Sequence, residues 1–196
     1  MLHIVYGGSA SGKSSYAESF AMSLQGEGRL LYIATMYPYK WNTTEIDPET
    51  MQRIERHRAM RADKGFDTVE CYRHVEHIVA KRQDVLLLEC MSNLLANEMY
   101  LEQDSNAGSD MAETMSPVSN KIVQALIDLS TRVQELVIVT NDVFSDGGSL
   151  TYDESTREYV KNLAEINCAL ARVAETVTEV VCGIPVIVKK NHPMGK

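Results

Sequence analysis

Short runs of apolar residues recur along the chain and alternate with longer segments of helical length. The apolar runs predict strands at residues 2–6, 30–35, 66–71, 85–89, 136–140, 179–182 and 185–189. Several of these runs are unbroken instead of alternating with polar residues, which is typical of parallel strands that are covered on both faces. The pattern therefore predicts an α/β fold with a mostly parallel central sheet flanked by helices.

The segments between the strands predict helices at 13–24, 47–61, 74–82, 92–100, 118–132 and 153–176. The second helix has the clearest start, because Asp47 suits the N-cap and Pro48 suits the first helical position. Two polar segments are expected to be irregular. Residues 101–117 resemble a flexible surface excursion, and residues 142–151 hold a glycine pair of the kind found in active-site loops.

Length and charge narrow the class of protein. The chain has 196 residues and a formal net charge of −8 at pH 7, which suits one domain over residues 1–190 with a frayed tail at 191–196. The acidic balance argues against nucleic acid and anionic membranes as partners, although a local basic patch remains compatible with it. No apolar stretch reaches ~18 residues, so neither a transmembrane span nor a signal peptide is expected.

The four cysteines are Cys71, Cys90, Cys168 and Cys182, and none of them forms a CxxC pair. They lie in or beside apolar runs. We therefore expect reduced thiols in the core and a cytoplasmic protein.

A phosphate-binding loop follows the first predicted strand, where the sequence fits G-x-x-x-x-G-K-[ST]. Its residues are Gly7, Gly8, Ser9, Ala10, Ser11, Gly12, Lys13 and Ser14. Glycines let successive backbone N–H groups face phosphates, and the start of the next helix adds positive potential. Lys13 would reach the β- and γ-phosphates, while Ser14 would offer its hydroxyl to Mg²⁺. The sequence therefore predicts a P-loop nucleotide-binding domain.

A P-loop site usually needs an acidic residue at the end of a neighbouring strand to help hold Mg²⁺. Glu89 closes the apolar strand 85–89 and is the first candidate. Asp142, which follows the strand 136–140, is the alternative.

One helix is rich in arginine although the chain is acidic. Arg53, His57 and Arg61 recur at i, i+4 and i+8, so they share one helical face, and Arg56 and Arg58 flank them. Such a face can clamp a triphosphate. A histidine within it can attack the α-phosphorus, because nearby positive charge lowers its pKa and keeps the neutral form available. A solvated basic face with an incidental histidine is the other interpretation.

Together these residues resemble the bifunctional adenosylcobinamide kinase/adenosylcobinamide-phosphate guanylyltransferase family of cobalamin biosynthesis. The most specific part of the resemblance is the Tyr-Ile-Ala-Thr strand at 32–35, followed by the R-I-x-x-H-R-x-x-R helix at 53–61. Further matching pieces run almost from end to end, at residues 4–14, 68–70, 87–90, 93–95, 139–141, 183–185 and 189.

The resemblance implies a RecA-like P-loop fold, a trimer and two reactions. The enzyme would phosphorylate the aminopropanol arm of adenosylcobinamide with ATP or GTP. It would then transfer GMP from GTP to that phosphate through His57, giving adenosyl-GDP-cobinamide and pyrophosphate. Lys13 and His57 would be catalytic, and Ser14 and Glu89 would hold Mg²⁺. The nucleotide contacts that the family implies are Gly7, Gly8, Ser9, Ala10, Ser11, Gly12, Lys13, Ser14, Ala34, Thr35, Met36, Arg58, Ala59, Met60, Arg61, Glu70 and Glu89.

The chain departs from the family pattern between residues 142 and 161. The Glu that usually follows Val-Thr-Asn is Asp142, and the second Arg of a later Arg-x-Phe-Arg-Asp motif is Val160. We expect this region to form the corrinoid side of the site. Two alternatives stay open, namely a P-loop small-molecule kinase without a covalent intermediate and a non-catalytic nucleotide-binding regulator. The chain has no second Arg-rich segment after residue 61 to serve as a nucleotide-kinase lid.

Overall fold

A computed structural model describes residues 1–41, 43–101, 115–142 and 152–191 of the chain. Within these ranges seven strands form one sheet in the order β3-β2-β4-β5-β1-β6-β7. All neighbours pair in parallel except β6 and β7, which are antiparallel. The strands are β1 Leu2–Gly7, β2 Leu30–Ala34, β3 Phe66–Glu70, β4 Val85–Glu89, β5 Glu135–Asn141, β6 Thr176–Val181 and β7 Ile184–Lys190.

Helices cover both faces of this sheet. They are α1 Lys13–Ser23, α2 Pro48–Arg61, α3 Met91–Tyr100, α4 Pro117–Arg132 and α5 Glu154–Val173, with a short 3₁₀ turn at Val75–His77. Leu86 and Leu88 of β4 pack on the side of α3, α4 and α5, whereas Val85 and Leu87 pack on the side of α1. Burial on both faces explains why the strands read as unbroken apolar runs. The predicted α/β fold with a mostly parallel central sheet flanked by helices is confirmed, and the P-loop sequence lies between β1 and α1 as expected.

Two predicted elements were wrong. The helix expected at 74–82 is only the 3₁₀ turn Val75–His77. His74 has a left-handed φ of 57°, and Asp84 accepts a hydrogen bond from the backbone N–H of Lys81, so the segment is held as a loop. The last helix ends at Val173 instead of 176. From Thr176 onward the chain is rich in β-branched residues and pairs with β1. This pairing starts β6 at Thr176, so the strand runs over Thr176–Val181.

Other expectations were met in part. Asp47 is the N-cap of α2, and Pro48 opens that helix. All four cysteines are free, but Cys168 and Cys182 are exposed, so the expectation that they are core residues was wrong for those two. Residues 102–114, 143–151 and 192–196 lie outside the described ranges, and most of both predicted irregular segments and the predicted tail fall there. In the part of the chain that is described, no helix could cross a membrane.

The parallel strands place their carboxyl ends at one edge of the sheet. The loop after β1, the end of β2 at Ala34, the end of β4 at Glu89 and the end of β5 at Asn141 meet there. Ligands of open α/β sheets bind at this edge. The edge therefore defines where a site is to be sought.

Candidate active site

The loop after β1 is tightly curled. Ser11 N–H donates to the Gly8 carbonyl at 3.3 Å, and Gly12 has a left-handed φ of 90°. A Cβ on Gly7 would lie 2.5 Å from the Val180 carbonyl oxygen, so the loop passes too close to β6 for any side chain at that position. The two glycines thus allow the curl that a phosphate cradle needs.

Lys13 bends back across this loop. Its Nζ donates to the Gly8 carbonyl oxygen at 3.0 Å. The ammonium group therefore lies beside the loop backbone. When a nucleotide binds there, its phosphate oxygens would replace the Gly8 carbonyl oxygen as the acceptor of this hydrogen bond.

The two residues expected to hold Mg²⁺ lie side by side. The Ser14 hydroxyl donates to Glu89 Oε1, and among the described residues the buried Glu89 Oε2 has no hydrogen-bond partner. Burial raises the pKa of Glu89 to about 7, although the Ser14 hydrogen bond and the charge of Lys13 act in the opposite direction. One hydroxyl and one carboxylate with an unused oxygen are donors that suit Mg²⁺, which takes its remaining ligands from phosphates and water. The residues present therefore fit the metal. Asp142, the alternative, lines the same cavity.

The basic face of α2 points at the P-loop. Arg53, His57 and Arg61 all line one cavity with Lys13 and Ser14, as the i, i+4, i+8 spacing indicated. This arrangement places two arginines with a histidine between them in the same cavity as the phosphate cradle.

Two arginines of this helix differ in their surroundings. Arg61 is buried, its Cζ lies 3.4 Å from the centroid of the Tyr32 ring, and its Nε and Nη1 have no hydrogen-bond partner within the described ranges. Arg58 is exposed and forms an ion pair with Glu70, which also accepts from the Tyr72 hydroxyl at 2.9 Å. Arg61 therefore has buried donors that a bound anion could satisfy.

His57 is half-buried in this basic surrounding. Burial is the main cause that lowers the pKa of its imidazole, and the charges of Arg61, Arg56 and Arg53 lower the pKa further. The imidazole is consequently neutral at neutral pH. A neutral imidazole has a free lone pair and can act as a nucleophile.

The cavity formed by these elements has a volume of about 860 Å³. Of the residues expected from the sequence, it brings together Ser9, Lys13, Ser14, Ala34, Met36, His57, Arg58, Arg61, Glu70 and Glu89. Gly7 ends β1, and Gly8, Ala10, Ser11 and Gly12 belong to the loop that leads to Lys13 at the start of α1, but none of these five residues lines the cavity.

Besides these five, three further expected contacts, one just after β2 and two on α2, do not line the cavity. Ala59 and Met60 are exposed on α2 and do not line it. Thr35 is fully buried, where its hydroxyl donates to the Cys90 carbonyl at 2.9 Å and accepts from the Cys90 N–H at 2.7 Å. Thr35 thus joins the ends of β2 and β4, which is a structural role.

Among the other lining residues, Arg53 and Asp142 were already candidates, and Tyr152, Thr156, Tyr159 and Val160 fall in the region 142–161 that was expected on the corrinoid side. The lining residues that were not expected to take part in the site are Tyr32, Ile54, Tyr72, Cys90, Ser92, Asn93 and Asn141. Asn141 could have been found because it ends an apolar strand at the same edge as Glu89. It donates to the Ser92 hydroxyl at 2.6 Å. Val160 lies in the later motif where the chain departs from the family pattern, and the i, i+3, i+4 spacing puts it on one face of α5 with Thr156 and Tyr159.

Comparison with known proteins places this geometry in context. A family model described as "Cobinamide kinase / cobinamide phosphate guanyltransferase" matches residues 3–188. The chain is similar to the bifunctional adenosylcobalamin biosynthesis protein CobU of Escherichia coli K12, with 30% identity over 198 residues that cover 96% of this chain and 100% of the relative. The protein of the same name from Salmonella typhimurium LT2 is 30% identical over 197 residues, with the same coverage of 96% and 100%.

Solved structures resemble the chain more distantly. The flagellar accessory protein FlaH of Methanocaldococcus jannaschii aligns with a TM-score of 0.46 and 14% identity, covering 97% of this chain and 78% of that chain. The P4 protein from bacteriophage phi6, solved in complex with ADP, aligns with a TM-score of 0.40 and 12% identity, covering 94% and 53%.

Proposed function

The chain belongs to the cobinamide kinase / cobinamide phosphate guanyltransferase family, and we propose that it carries out both of that family's reactions in the one cavity that holds Lys13 and His57. As a family member it is a cobinamide kinase and a cobinamide phosphate guanyltransferase of cobalamin biosynthesis. This confirms the two activities that the resemblance implied. The observation that carries the site assignment is a half-buried histidine of lowered pKa that faces a P-loop.

In the guanylyl transfer, the neutral imidazole of His57 attacks the α-phosphorus of GTP. A nitrogen–phosphorus bond forms, the bond to the bridging oxygen breaks, and pyrophosphate leaves. A phosphate oxygen of adenosylcobinamide phosphate then attacks the same phosphorus and displaces the imidazole, which gives adenosyl-GDP-cobinamide. Arg61, which has buried donors without a partner in the described chain, and Arg58 would neutralise the triphosphate during the attack.

In the kinase reaction, the hydroxyl oxygen of the aminopropanol arm attacks the γ-phosphorus of ATP or GTP and a nucleoside diphosphate leaves. Lys13 would move from the Gly8 carbonyl to the β- and γ-phosphate oxygens and stabilise the transferring group. Ser14 and Glu89 would hold Mg²⁺, which supplies charge neutralisation at the transferring phosphorus and at departing pyrophosphate. Thr156, Tyr159 and Val160 of α5 would form the corrinoid side of the cavity.

Incubation with α-labelled GTP and Mg²⁺ tests this assignment. The protein should retain label that survives base and is lost in acid, as a histidine–phosphorus bond requires. His57→Ala should abolish GMP transfer and retain some kinase activity, whereas Lys13→Ala should impair both reactions because both use the triphosphate. His77→Ala, which changes an exposed histidine that does not line the cavity, is the matched control.

The same assay separates the alternatives. Label that persists in His57→Ala would contradict the role of His57. No label together with retained phosphorylation of adenosylcobinamide would leave a kinase without a covalent intermediate. If the unmodified chain carried out neither reaction, the remaining interpretation would be a non-catalytic nucleotide-binding regulator.

We also propose that the chain forms a homo-oligomer, a trimer by family resemblance. The supporting observation is the edge strand β7, on which Ile184, Val186, Ile187 and Val188 are exposed. Analytical ultracentrifugation of Ile187→Glu tests it, with Val79→Glu as the control at another exposed apolar position. An unchanged sedimentation coefficient in Ile187→Glu would exclude β7 as the interface. The four free cysteines support a cytoplasmic location, which cell fractionation would test.

A further inference from the structure

Five aromatic side chains form a continuous cluster on the surface, which we call the aromatic rim: Tyr37, Tyr39, Trp41, Tyr72 and Tyr100. Tyr37 is its centre, with ring centroids 5.4 Å from Tyr39, 5.4 Å from Tyr72 and 6.5 Å from Trp41. The Trp41 ring lies 6.2 Å from that of Tyr100. Trp41 is 52% exposed, and Tyr39 and Tyr100 are 38% exposed. Large contiguous apolar surface of this kind usually marks a binding site.

One end of the aromatic rim lies at the catalytic cavity. Tyr72 lines that cavity and donates to the Glu70 carboxylate, which is paired with Arg58. Arg58 directly follows His57 in α2. The rim thus begins beside the proposed nucleophile.

The other end of the rim contacts the start of α5, next to a residue that lines the same cavity. The Tyr100 hydroxyl lies 3.2 Å from the Ser155 carbonyl oxygen and 3.0 Å from its hydroxyl. The next residue, Thr156, lines the catalytic cavity. The rim therefore bridges α2's side of the cavity and the start of α5, so a ligand lying on it would be next to the reacting atoms.

There is also open space beside the rim. A second cavity of about 1230 Å³ shares Glu70 and Tyr72 with the catalytic cavity and is lined by Tyr37. The two cavities are adjacent where the chain leaves β2, since Met36 lines the catalytic cavity and the next residue, Tyr37, lines the second one.

We propose that the aromatic rim binds the corrin macrocycle of the corrinoid substrate, while the aminopropanol arm extends past Tyr72 to His57. This rests on the proposed function. The macrocycle is a broad, largely apolar ring edged with amides, and the catalytic cavity of about 860 Å³ already has to hold GTP, so in this proposal the ring lies outside it. Aromatic faces supply apolar contact area for such a ring, and the phenol hydroxyl of Tyr39 can bond an amide at its edge. Only the arm has to enter the catalytic cavity.

The test compares two acceptors of GMP, adenosylcobinamide phosphate and aminopropanol phosphate, which is the arm without the ring. Trp41→Ala should raise the KM for the corrinoid about tenfold, which corresponds to about 1.4 kcal/mol, with kcat unchanged. The kcat/KM for aminopropanol phosphate and the guanylylation of His57 should also be unchanged. Trp41→Phe should recover most of the loss because it retains an aromatic face.

Ile46→Ala is the matched control, since Ile46 is 51% exposed in the same segment between β2 and α2 but is not part of the rim. An unchanged corrinoid KM in Trp41→Ala would overturn the proposal. An equal loss with both acceptors would do so as well, because it would mean that the nucleotide site is disturbed. A changed sedimentation coefficient with an unchanged KM would assign the rim to a second copy of the chain instead.

Failure of the proposed function remains distinguishable from failure of this proposal. If the unmodified chain takes no label on His57, the rim can still be tested by binding alone. Equilibrium dialysis would then compare how tightly adenosylcobinamide binds to the unmodified chain and to Trp41→Ala. Equal affinities there would overturn the role of the rim independently.

Discussion

Adding a side chain to a glycine can cost free energy in two ways, through a left-handed φ and through close contact of the new Cβ. Three glycines in or beside the phosphate loop differ in these two respects, so their alanine variants should differ in stability in a fixed order. Gly8 has no left-handed φ, and a Cβ there meets no described heavy atom within 4 Å. Gly183 has a left-handed φ of +81° with equally open space. Gly12 has both constraints, with a φ of +90° and a Cβ that would lie 3.2 Å from Gly183 Cα and 3.6 Å from Gly183 N.

The expected magnitudes follow from these differences. Gly8→Ala should leave the free energy of unfolding unchanged or raise it by about 0.4–1 kcal/mol, because alanine reduces the entropy of the unfolded chain. Gly183→Ala should lose about 1 kcal/mol, since left-handed backbone costs alanine about 1–2 kcal/mol and part of this is offset. Gly12→Ala should lose about 2–4 kcal/mol, because contact with backbone atoms adds about 1–3 kcal/mol to the same strain.

Urea unfolding of the three variants, extrapolated linearly to water, measures this series. Repeating it with GTP adds a functional readout, because a bound nucleotide stabilises the folded state. Gly183 N–H donates to the Ser11 carbonyl at 2.8 Å, so the β6–β7 turn holds the loop in place just before Lys13. A Cβ on Gly12 would displace the loop and weaken this hydrogen bond. The stabilisation by GTP should therefore be smaller in Gly12→Ala than in Gly183→Ala.

The order of the losses is what can refute this reasoning. Equal losses for Gly12→Ala and Gly183→Ala would show that the contact at 3.2 Å contributes nothing. A loss above about 1 kcal/mol for Gly8→Ala would show that position 8 needs a conformation that alanine cannot adopt.

Two further predictions concern charges around the cavity. The charge of Arg56 lowers the pKa of His57, so Arg56→Gln should raise that pKa. The rate of His57 guanylylation falls at acid pH as the imidazole is protonated, and in Arg56→Gln this fall should begin at higher pH. Lys161→Gln on α5 is the charge-matched control, and an unmoved acid limb in Arg56→Gln would contradict the assignment. Lys64 pairs with the buried Glu18 of α1, so Lys64→Met should lower the free energy of unfolding in urea by about 1–3 kcal/mol, the cost of leaving a buried acceptor unsatisfied. Adding Glu18→Met should restore most of it, and an unrecovered loss in the double variant would show that packing, not an unpaired carboxylate, is the cause.

Much of the architecture could be predicted because its signals are local. Unbroken apolar runs such as 85–89 identified the buried parallel strands, and the P-loop sequence identified the turn between β1 and α1. The spacing of Arg53, His57 and Arg61 predicted one shared face, and the structure places all three in one cavity.

Where local signals conflicted, the sequence-based prediction failed. Residues 74–82 have helix-forming composition, but Val75 and Ile78 are drawn into the core and Asp84 binds the backbone of Lys81. The heptad-like pattern of α5 continues past its end, where pairing with β1 takes Thr176 into a strand instead.

The sequence by itself determined which segments are buried strands, and it predicted where phosphate binds and which helix carries the proposed nucleophile, since each depends on neighbours a few residues apart. Tertiary structure decided the partners: Glu89 with Ser14, Arg58 with Glu70, and the Arg61 guanidinium over the Tyr32 ring. It also moved Thr35 into a structural role and assembled the aromatic rim from three separate segments. These contacts depend on strand order and on the side to which each connection crosses, and hydrophobic periodicity carries no information about either.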